Sequence, residues 1–222
     1  MPGDNQNDGI IAGYANTINT TSASPQTVAG LIVAQSGVST QALATGYLGW
    51  SLPPDLLSPT AVVLTTAYGY LTRVYVPVSG TSTYLDTVFT TANTVTNAVW
   101  ALYTGSGVNP VAYTAEAHAT VTGAAGLYSV PWTVPVALTP GFYYVYQEVT
   151  GTTPSMPGVT ATSTGSIGAT VMNPNCSLSA TVPTLNSAQL TSGAPTSITG
   201  TTTLTWGTSW TLAATKLWYG LR

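Results

Sequence analysis

The stretch that decides the fold is residues 98–149, AVWALYTGSGVNPVAYTAEAHATVTGAAGLYSVPWTVPVALTPGFYYVYQEV. Residues 98–103 form an apolar run, and the turn-forming residues of 104–110 separate it from an alternating run over 111–121. This order predicts a long β-hairpin. A third run, 141–149, is dense in Phe, Tyr and Val, which favour strands. We therefore predict three strands at the core of the fold.

The alternation within these runs indicates which faces are buried. Side chains two residues apart share one face of a strand. The odd-numbered residues of 111–121 therefore form one face, which we expect to be buried, and the even-numbered ones, including Glu116 and His118, form a solvent face. In the first run, Trp100 and Tyr103 lie on opposite faces. Large side chains on both faces are typical of a sandwich or a subunit interface.

The same β signal extends to both sides of this stretch, whereas helix signals are nearly absent. Further strands are predicted upstream over 61–66, 69–78 and 85–91, and downstream over 204–210 and 216–221. Residues 150–183 are rich in Thr, Ser, Gly and Pro, and we expect short strands or an excursion there, because so long a structureless loop is unusual. The pattern predicts an all-β fold, a β-sandwich or jelly roll.

The first 60 residues differ from the rest. Residues 1–27 are polar with few apolar anchors, and Pro53, Pro54 and Pro59 interrupt regular structure further on. We predict an extended N-terminal arm over residues 1–60 that contacts another molecule or another copy of the chain. The β-sandwich domain is predicted over residues 61–222.

The charge content is unusual. Only 4% of the 222 residues are Asp, Glu, Lys or Arg, against about 25% in ordinary globular proteins. Three cations and a net charge of −3 do not supply the basic surface that neutralises phosphates, so nucleic acid is excluded as a partner. Low charge protects weakly against self-association, so we expect an obligate assembly.

Targeting and cysteine content give further expectations. The N-terminus lacks a basic region followed by an apolar one, so no signal peptide is expected. No apolar stretch of about 18 residues occurs, so no membrane insertion is expected. Cys176 is the single cysteine, which excludes an intramolecular disulfide and is typical of a partly buried thiol.

Four motifs occur in order along the chain: VYVPVSGT at 74–81, AVWALYTGSG at 98–107, GAAGLYSVPWTVPVALTPGFYYVYQEV at 123–149 and LWYGL at 217–221. On these motifs, residues from about 70 to 221 resemble a jelly-roll domain of tail and fibre proteins from bacteriophages that infect actinobacteria. The motifs consist of turn glycines, prolines and core aromatics, so they indicate a fold more than a ligand. The resemblance implies a virion protein, commonly a homotrimer with a host-binding surface, and it brings no catalytic residues.

We therefore expect a structural protein of a phage virion, of the minor tail or fibre type, that binds host-surface glycans. Its arm would contact other virion proteins. The alternative is a capsid decoration or head-fibre protein. A secreted carbohydrate-binding module is less favoured, because no signal peptide is expected. An enzyme is least favoured, because His, Asp, Glu and Lys are scarce, and no catalytic residue, metal or cofactor is expected.

A few polar residues nevertheless deserve consideration as sites. Glu116 and His118 lie two apart on one strand face, as a metal-ligand or acid–base pair would, but a hydrogen-bonded surface or interface pair is favoured. A glycosidase pair of Glu116 with Glu148 is supported by no motif, and Asp86 and Glu148 are the candidates for a third metal ligand. No GxSxG sequence accompanies the single histidine.

Aromatic residues are the stronger candidates for binding. The chain contains six Trp and 13 Tyr, and aromatic rings beside amides and hydroxyls suit neutral sugars. Most of these rings are expected in the core or between subunits. Trp132, between Pro131 and Pro135 in a predicted turn, is the best candidate for an exposed glycan contact, followed by Trp206 and Trp210.

Overall fold

The computed structural model describes residues 42–43, 45–54, 57, 61–66, 68–90, 93–104, 112–123, 125–151, 154–160, 187–191, 204 and 210–222. For 93–97, 104, 112–123 and 150–151 it describes the backbone alone. Several predicted features lie outside the described residues: residues 1–41 of the predicted arm, Cys176 and Trp206.

The described residues are nearly all β-structure. They form the strands β1 (Gly49–Trp50), β2 (Val62–Val63), β3 (Gly69–Val76), β4 (Gly80–Phe89), β5 (Asn93–Thr104), β6 (Ala112–Gly123), β7 (Gly126–Leu138), β8 (Gly141–Gly151), β9 (Ser155–Met156), β10 (Gly158–Thr160), β11 (Ser187–Leu190), β12 (Trp210–Leu212), β13 (Thr215–Leu217) and β14 (Tyr219–Leu221). The prediction of an all-β fold is confirmed for the described residues.

One antiparallel sheet of ten strands dominates the described part. Its main path runs β6-β5-β8-β3-β1-β14-β4-β7. The path divides at one edge of β3, where β11 pairs with residues 69–72 and β1 pairs at Tyr75. β12 continues from β11, and two short ladders join β10 to β13 and β2 to β9.

The predicted central strands are confirmed. β5 pairs with β6 as the expected hairpin, and β8 pairs with the other edge of β5. β8 also pairs with β3 over its full length, from Gly69 opposite Glu148 to Val76 opposite Gly141. The Phe- and Tyr-rich run therefore lies between two long neighbours, where β-formers with large side chains pack well.

The prediction of a turn around Trp132 is wrong, because residues 126–138 form one strand, β7. Its pairing with β4 is irregular at this point: the register shifts between Ser82 and Tyr84, and residues 132–135 of β7 fall within this bulge. β7 stands at the end of the sheet path and, among the described strands, pairs with β4 alone. Proline has no backbone N–H to donate to a neighbouring strand. An edge strand tolerates proline where the missing N–H would face away from its one partner. Both prolines are tolerated because β7 is an edge strand among the described strands and Pro135 lies in its bulge.

One face of the sheet encloses the main core. The core takes Val74, Trp100 and Val145 from β3, β5 and β8, and Leu85 and Tyr219 from β4 and β14 on the far half of the path. Both halves of the sheet thus contribute to one apolar interior, so the sheet is curled around it. We call this face the inner face.

The opposite, outer face carries a second apolar cluster. Leu71 of β3, Tyr103 of β5 and Tyr146 of β8 pack there with Leu190 and Trp210 of the β11–β12 branch. Large side chains on both faces of β5, expected from the sequence, therefore fill two separate clusters.

The first strand precedes the predicted domain boundary at residue 60. Gly49 and Trp50 lie opposite Leu221 and Gly220 of β14. Space at Gly49 is restricted, because a Cβ there would stand 2.3 Å from the carbonyl oxygen of Tyr75. The end of the predicted arm thus contributes a strand to the sheet.

Candidate functional site on the outer face

A single row of residues crosses the outer face. Phe142 of β8 lies opposite Tyr75 of β3, which lies opposite Trp50 of β1. Trp50 lies opposite Gly220 of β14, and Gly220 lies opposite Asp86 of β4. Directly paired residues project from the same face of an antiparallel sheet. The row therefore places aromatic side chains and a carboxylate on one surface.

An exposed aromatic pair lies at one end of this row. Tyr75 and Phe142 are 40% and 45% exposed, and their ring centroids are 5.1 Å apart. The guanidinium carbon of Arg73 lies 4.6 Å from the centre of the Phe142 ring, within cation–π range. We call Arg73, Tyr75 and Phe142 the aromatic platform.

The middle of the row is closed by Tyr47. Its ring packs over Gly220, where a Cβ would come within 2.5 Å of a Tyr47 ring carbon. The Tyr47 ring centre lies 6.0 Å from that of Trp50 and 6.1 Å from that of Trp218. Both tryptophans are buried, so these three rings hold the strands together and offer little surface to a ligand.

The far end of the row is an ion pair. The Nε atom of Arg222 donates to the Oδ2 atom of Asp86 at 3.2 Å, and its terminal nitrogen donates to the Ser129 hydroxyl at 3.1 Å. Arg222 also lies over the ring of Tyr84, 5.1 Å from its centre. Burial, then the hydrogen bond and charge of Asp86, raise the pKa of Tyr47 to about 12. The Arg222 guanidinium is therefore engaged by Asp86, Ser129 and Tyr84.

Trp132 is not exposed, contrary to the sequence expectation. Its ring is 4% exposed and belongs to the main core, and its Nε1 donates to the Ser82 hydroxyl at 2.9 Å. The alternation along β7 turns this side chain inward, so the ring presents no face on which a sugar would stack.

Trp210 is also buried, within the outer cluster beside Leu190. Trp206 lies outside the described residues, so its predicted glycan contact stays a prediction.

Glu116 and His118 are placed by backbone register alone. They stand opposite Ala101 and Val99 of β5, and Val99 in turn stands opposite Glu148 of β8. Backbone register thus aligns His118 with Val99 and Glu148 across β6, β5 and β8, and Glu116 is two residues from His118 along β6. Among residues whose side chains are described, no three His, Cys, Asp or Glu side chains come together as a metal site would require.

Glu148 interacts with Tyr146, two residues away on the same strand. Its Oε2 accepts a hydrogen bond from the Tyr146 hydroxyl at 3.1 Å. Burial raises the pKa of Glu148, and the hydrogen bond from Tyr146 opposes this. Burial and the neighbouring carboxylate also raise the pKa of Tyr146 well above its usual value. Asp86, the other proposed third ligand, is committed to Arg222.

The sequence pattern predicted no binding role for Tyr75 and Phe142. Strand alternation was the signal that could have identified them, because each shares a strand face with residues of the outer cluster. The alternation places Tyr75 with Leu71, and Phe142 with Tyr144 and Tyr146. The outer cluster covers those neighbours and ends before Tyr75 and Phe142.

Comparisons of the sequence with protein-family models and with curated proteins find no match. None of the helical residues in the described part forms a segment with the length and apolar character that a membrane crossing demands.

Proposed function

We propose that this chain is a structural protein of a bacteriophage virion, a minor tail or fibre component that binds host-surface glycans. In this proposal the curled sheet is a jelly-roll sandwich, residues 1–60 include an arm that attaches to other virion proteins, and the chain has no enzymatic activity. The observation that carries it is the aromatic platform, an exposed aromatic pair on a β-sheet with almost no charge.

The platform suits a sugar for physical reasons. Aromatic rings stack on the C–H faces of sugar rings, and a guanidinium donates hydrogen bonds in a fixed plane. Tyr75 and Phe142 lie on adjacent long strands paired over eight residues, so they are held rigidly. Binding groups on a rigid sheet lose little conformational freedom when a ligand arrives.

Self-assembly into a homotrimer is part of the same proposal. Apolar residues besides the platform are exposed on the described surface, among them Val63, Leu127 and Val134 at 64%, 58% and 54%. With few charges to oppose association, such residues favour contacts between copies. Sedimentation equilibrium is expected to give three times the chain mass, and a stable monomer at high concentration would contradict the trimer.

Location in the particle is tested by mass spectrometry of purified virions followed by immunogold labelling. The proposal predicts that the chain is present and that the label lies at the tail or its fibres. Label on the head would instead support the capsid decoration alternative. Absence of the chain from purified virions would contradict both assignments. Antibody pre-absorbed with the purified protein provides the labelling control.

A further inference from the structure

The two rings of the aromatic platform are not parallel. The planes of Tyr75 and Phe142 make an angle of 48° at a centroid distance of 5.1 Å. A pyranose ring presents one nearly flat C–H face, and an aromatic ring stacks on that face. Two rings tilted by this angle cannot both lie against one flat face. A sugar that stacks on one ring of the platform therefore meets the other ring with an edge.

The position of Arg73 distinguishes the two rings. Its guanidinium carbon lies over the Phe142 ring, 4.6 Å from the ring centre, so this face of Phe142 is already covered within the protein. Tyr75 also presents an exposed ring. The geometry therefore favours Tyr75 for stacking on the sugar face, and it leaves Phe142 as the wall that the sugar edge contacts.

The described residues that flank the platform on this face are aromatic. Tyr75 stands opposite Trp50 of β1, and Tyr144 follows Phe142 on the same face of β8. Both flanking residues are buried. Phe142 itself has no hydrogen-bonding group, so a hydroxyl packed against its ring would lose water without gaining a partner. The sugar edge that contacts Phe142 should therefore carry an apolar group.

We propose that the aromatic platform selects a 6-deoxyhexose, a neutral sugar that has a methyl group in place of the usual hydroxymethyl group. The C–H face of the sugar stacks on Tyr75, and the methyl group packs against Phe142. A methyl group has no hydrogen bond to lose on burial, whereas a hydroxymethyl group would bury an unpaired hydroxyl. This inference rests on the proposed function and names its glycan class.

The test compares sugars that differ by one oxygen atom. Binding of the full-length protein is measured by biolayer interferometry on polymer-linked D-fucose and D-galactose, and on polymer-linked L-rhamnose and L-mannose. Within each pair, only the hydroxyl on the exocyclic carbon differs. We expect at least one 6-deoxy sugar to bind about 10-fold more tightly than its hydroxylated counterpart. Equal affinity within both pairs, tighter binding of the hydroxylated sugars, or binding of none of the four would overturn the inference.

Variants separate the roles of the two rings. Phe142→Leu keeps an apolar wall and should retain the preference, whereas Phe142→Gln offers the hydroxyl a partner and should reduce the preference to within about two-fold. Tyr75→Ala should weaken binding of both sugars of a pair alike, because it removes the stacking surface. Tyr84→Ala, at the far end of the row, is the matched control. An undiminished preference in folded Phe142→Gln protein would contradict the assignment.

Failure of this inference and failure of the proposed function give different results. Suppose that host cells bind the wild-type protein but not the folded Tyr75→Ala/Phe142→Ala variant, while affinity is equal within both sugar pairs. The sugar class is then wrong, and the platform remains the host-binding surface. Equal binding of host cells by the wild type and the folded double variant would instead refute the platform as the binding surface, and the sugar class with it.

Discussion

Arg222 Nε lies 3.2 Å from Asp86 Oδ2 and links the last described strand to β4. The two side chains differ in exposure, because the Arg222 side chain is 46% exposed and that of Asp86 is 2% exposed. The buried carboxylate depends on the pair, whereas the arginine remains hydrated without it.

Substitutions at this pair should therefore be unequal. Arg222→Met leaves a buried carboxylate without its cation, which we expect to cost about 1–3 kcal/mol of unfolding free energy. Asp86→Asn keeps the shape and a hydrogen-bonding group, so it should cost less. Urea denaturation of both variants measures the difference. A larger loss for Asp86→Asn than for Arg222→Met would contradict this explanation.

Trp132 is expected to matter for stability and not for binding. Trp132→Phe removes the hydrogen bond to Ser82 and should cost about 1–2 kcal/mol. Trp132→Ala also leaves a cavity and should cost about 3–5 kcal/mol. Thermal unfolding measures both, and glycan affinity of the folded Phe variant should equal that of the wild type. A folded Phe variant that lost binding would restore Trp132 as a ligand contact.

A polar pair inside the main core offers a double-mutant test. The hydroxyl of Tyr219 donates to the Gln147 side-chain oxygen, and the Gln147 amide contacts the Met156 sulfur at 3.2 Å. Tyr219→Phe leaves the buried amide oxygen without this donor, at a cost of about 1–3 kcal/mol. Adding Gln147→Leu should recover part of that loss, because both polar groups are then absent. Additive losses in urea denaturation would show that the pair is not coupled.

Lys216 should make stability depend on pH. Its pKa is about 7 in the folded protein and about 10.4 in an unfolded chain. Between these values the unfolded chain binds a proton that the folded protein does not. Unfolding free energy should therefore rise with pH, by at most about 1.4 kcal/mol per unit.

The surroundings of Lys216 allow a simple control. Neighbouring strands β10 and β11 contain no titratable residue, β3 contains Arg73, Tyr70 and Tyr75, and β14 contains Tyr219. The raised pKa values of Tyr47, Tyr103, Tyr146 and Tyr219 make folding oppose their ionisation, so these tyrosines lower stability as the pH approaches about 10. Urea denaturation at pH 7.5, 8.0 and 8.5 stays below that range and isolates the lysine. Lys216→Met should flatten the profile. Parallel profiles for the variant and the wild type would contradict the assignment.

Strand positions were the most predictable part of the fold. The hairpin over 98–121 and the strand after Pro140 followed from alternation and turn residues, which act locally. β7 was not predicted, because its two prolines are acceptable only at a sheet edge or in a bulge, and both depend on the whole topology. The burial of Trp132 could not be predicted either, because it depends on the same position of β7 in the sheet.

The candidate site was less predictable for a related reason. Tyr75, Trp50 and Gly220 are far apart in sequence, and only the register of β3, β1 and β14 brings them into one row. Composition favoured aromatic residues as candidate ligand contacts, but it does not indicate which rings remain exposed.

The most direct test of the central claim is the binding of the purified, fluorescently labelled protein to cells of the bacterial host that supports the encoding phage. Tyr75→Ala/Phe142→Ala is compared with Tyr84→Ala, whose ring has a similar exposure of 38%, after both variants are shown to be folded. We predict at least about 10-fold weaker cell binding for the double variant and wild-type binding for Tyr84→Ala. Wild-type binding by a folded double variant would contradict the assignment of the aromatic platform as the host-binding surface.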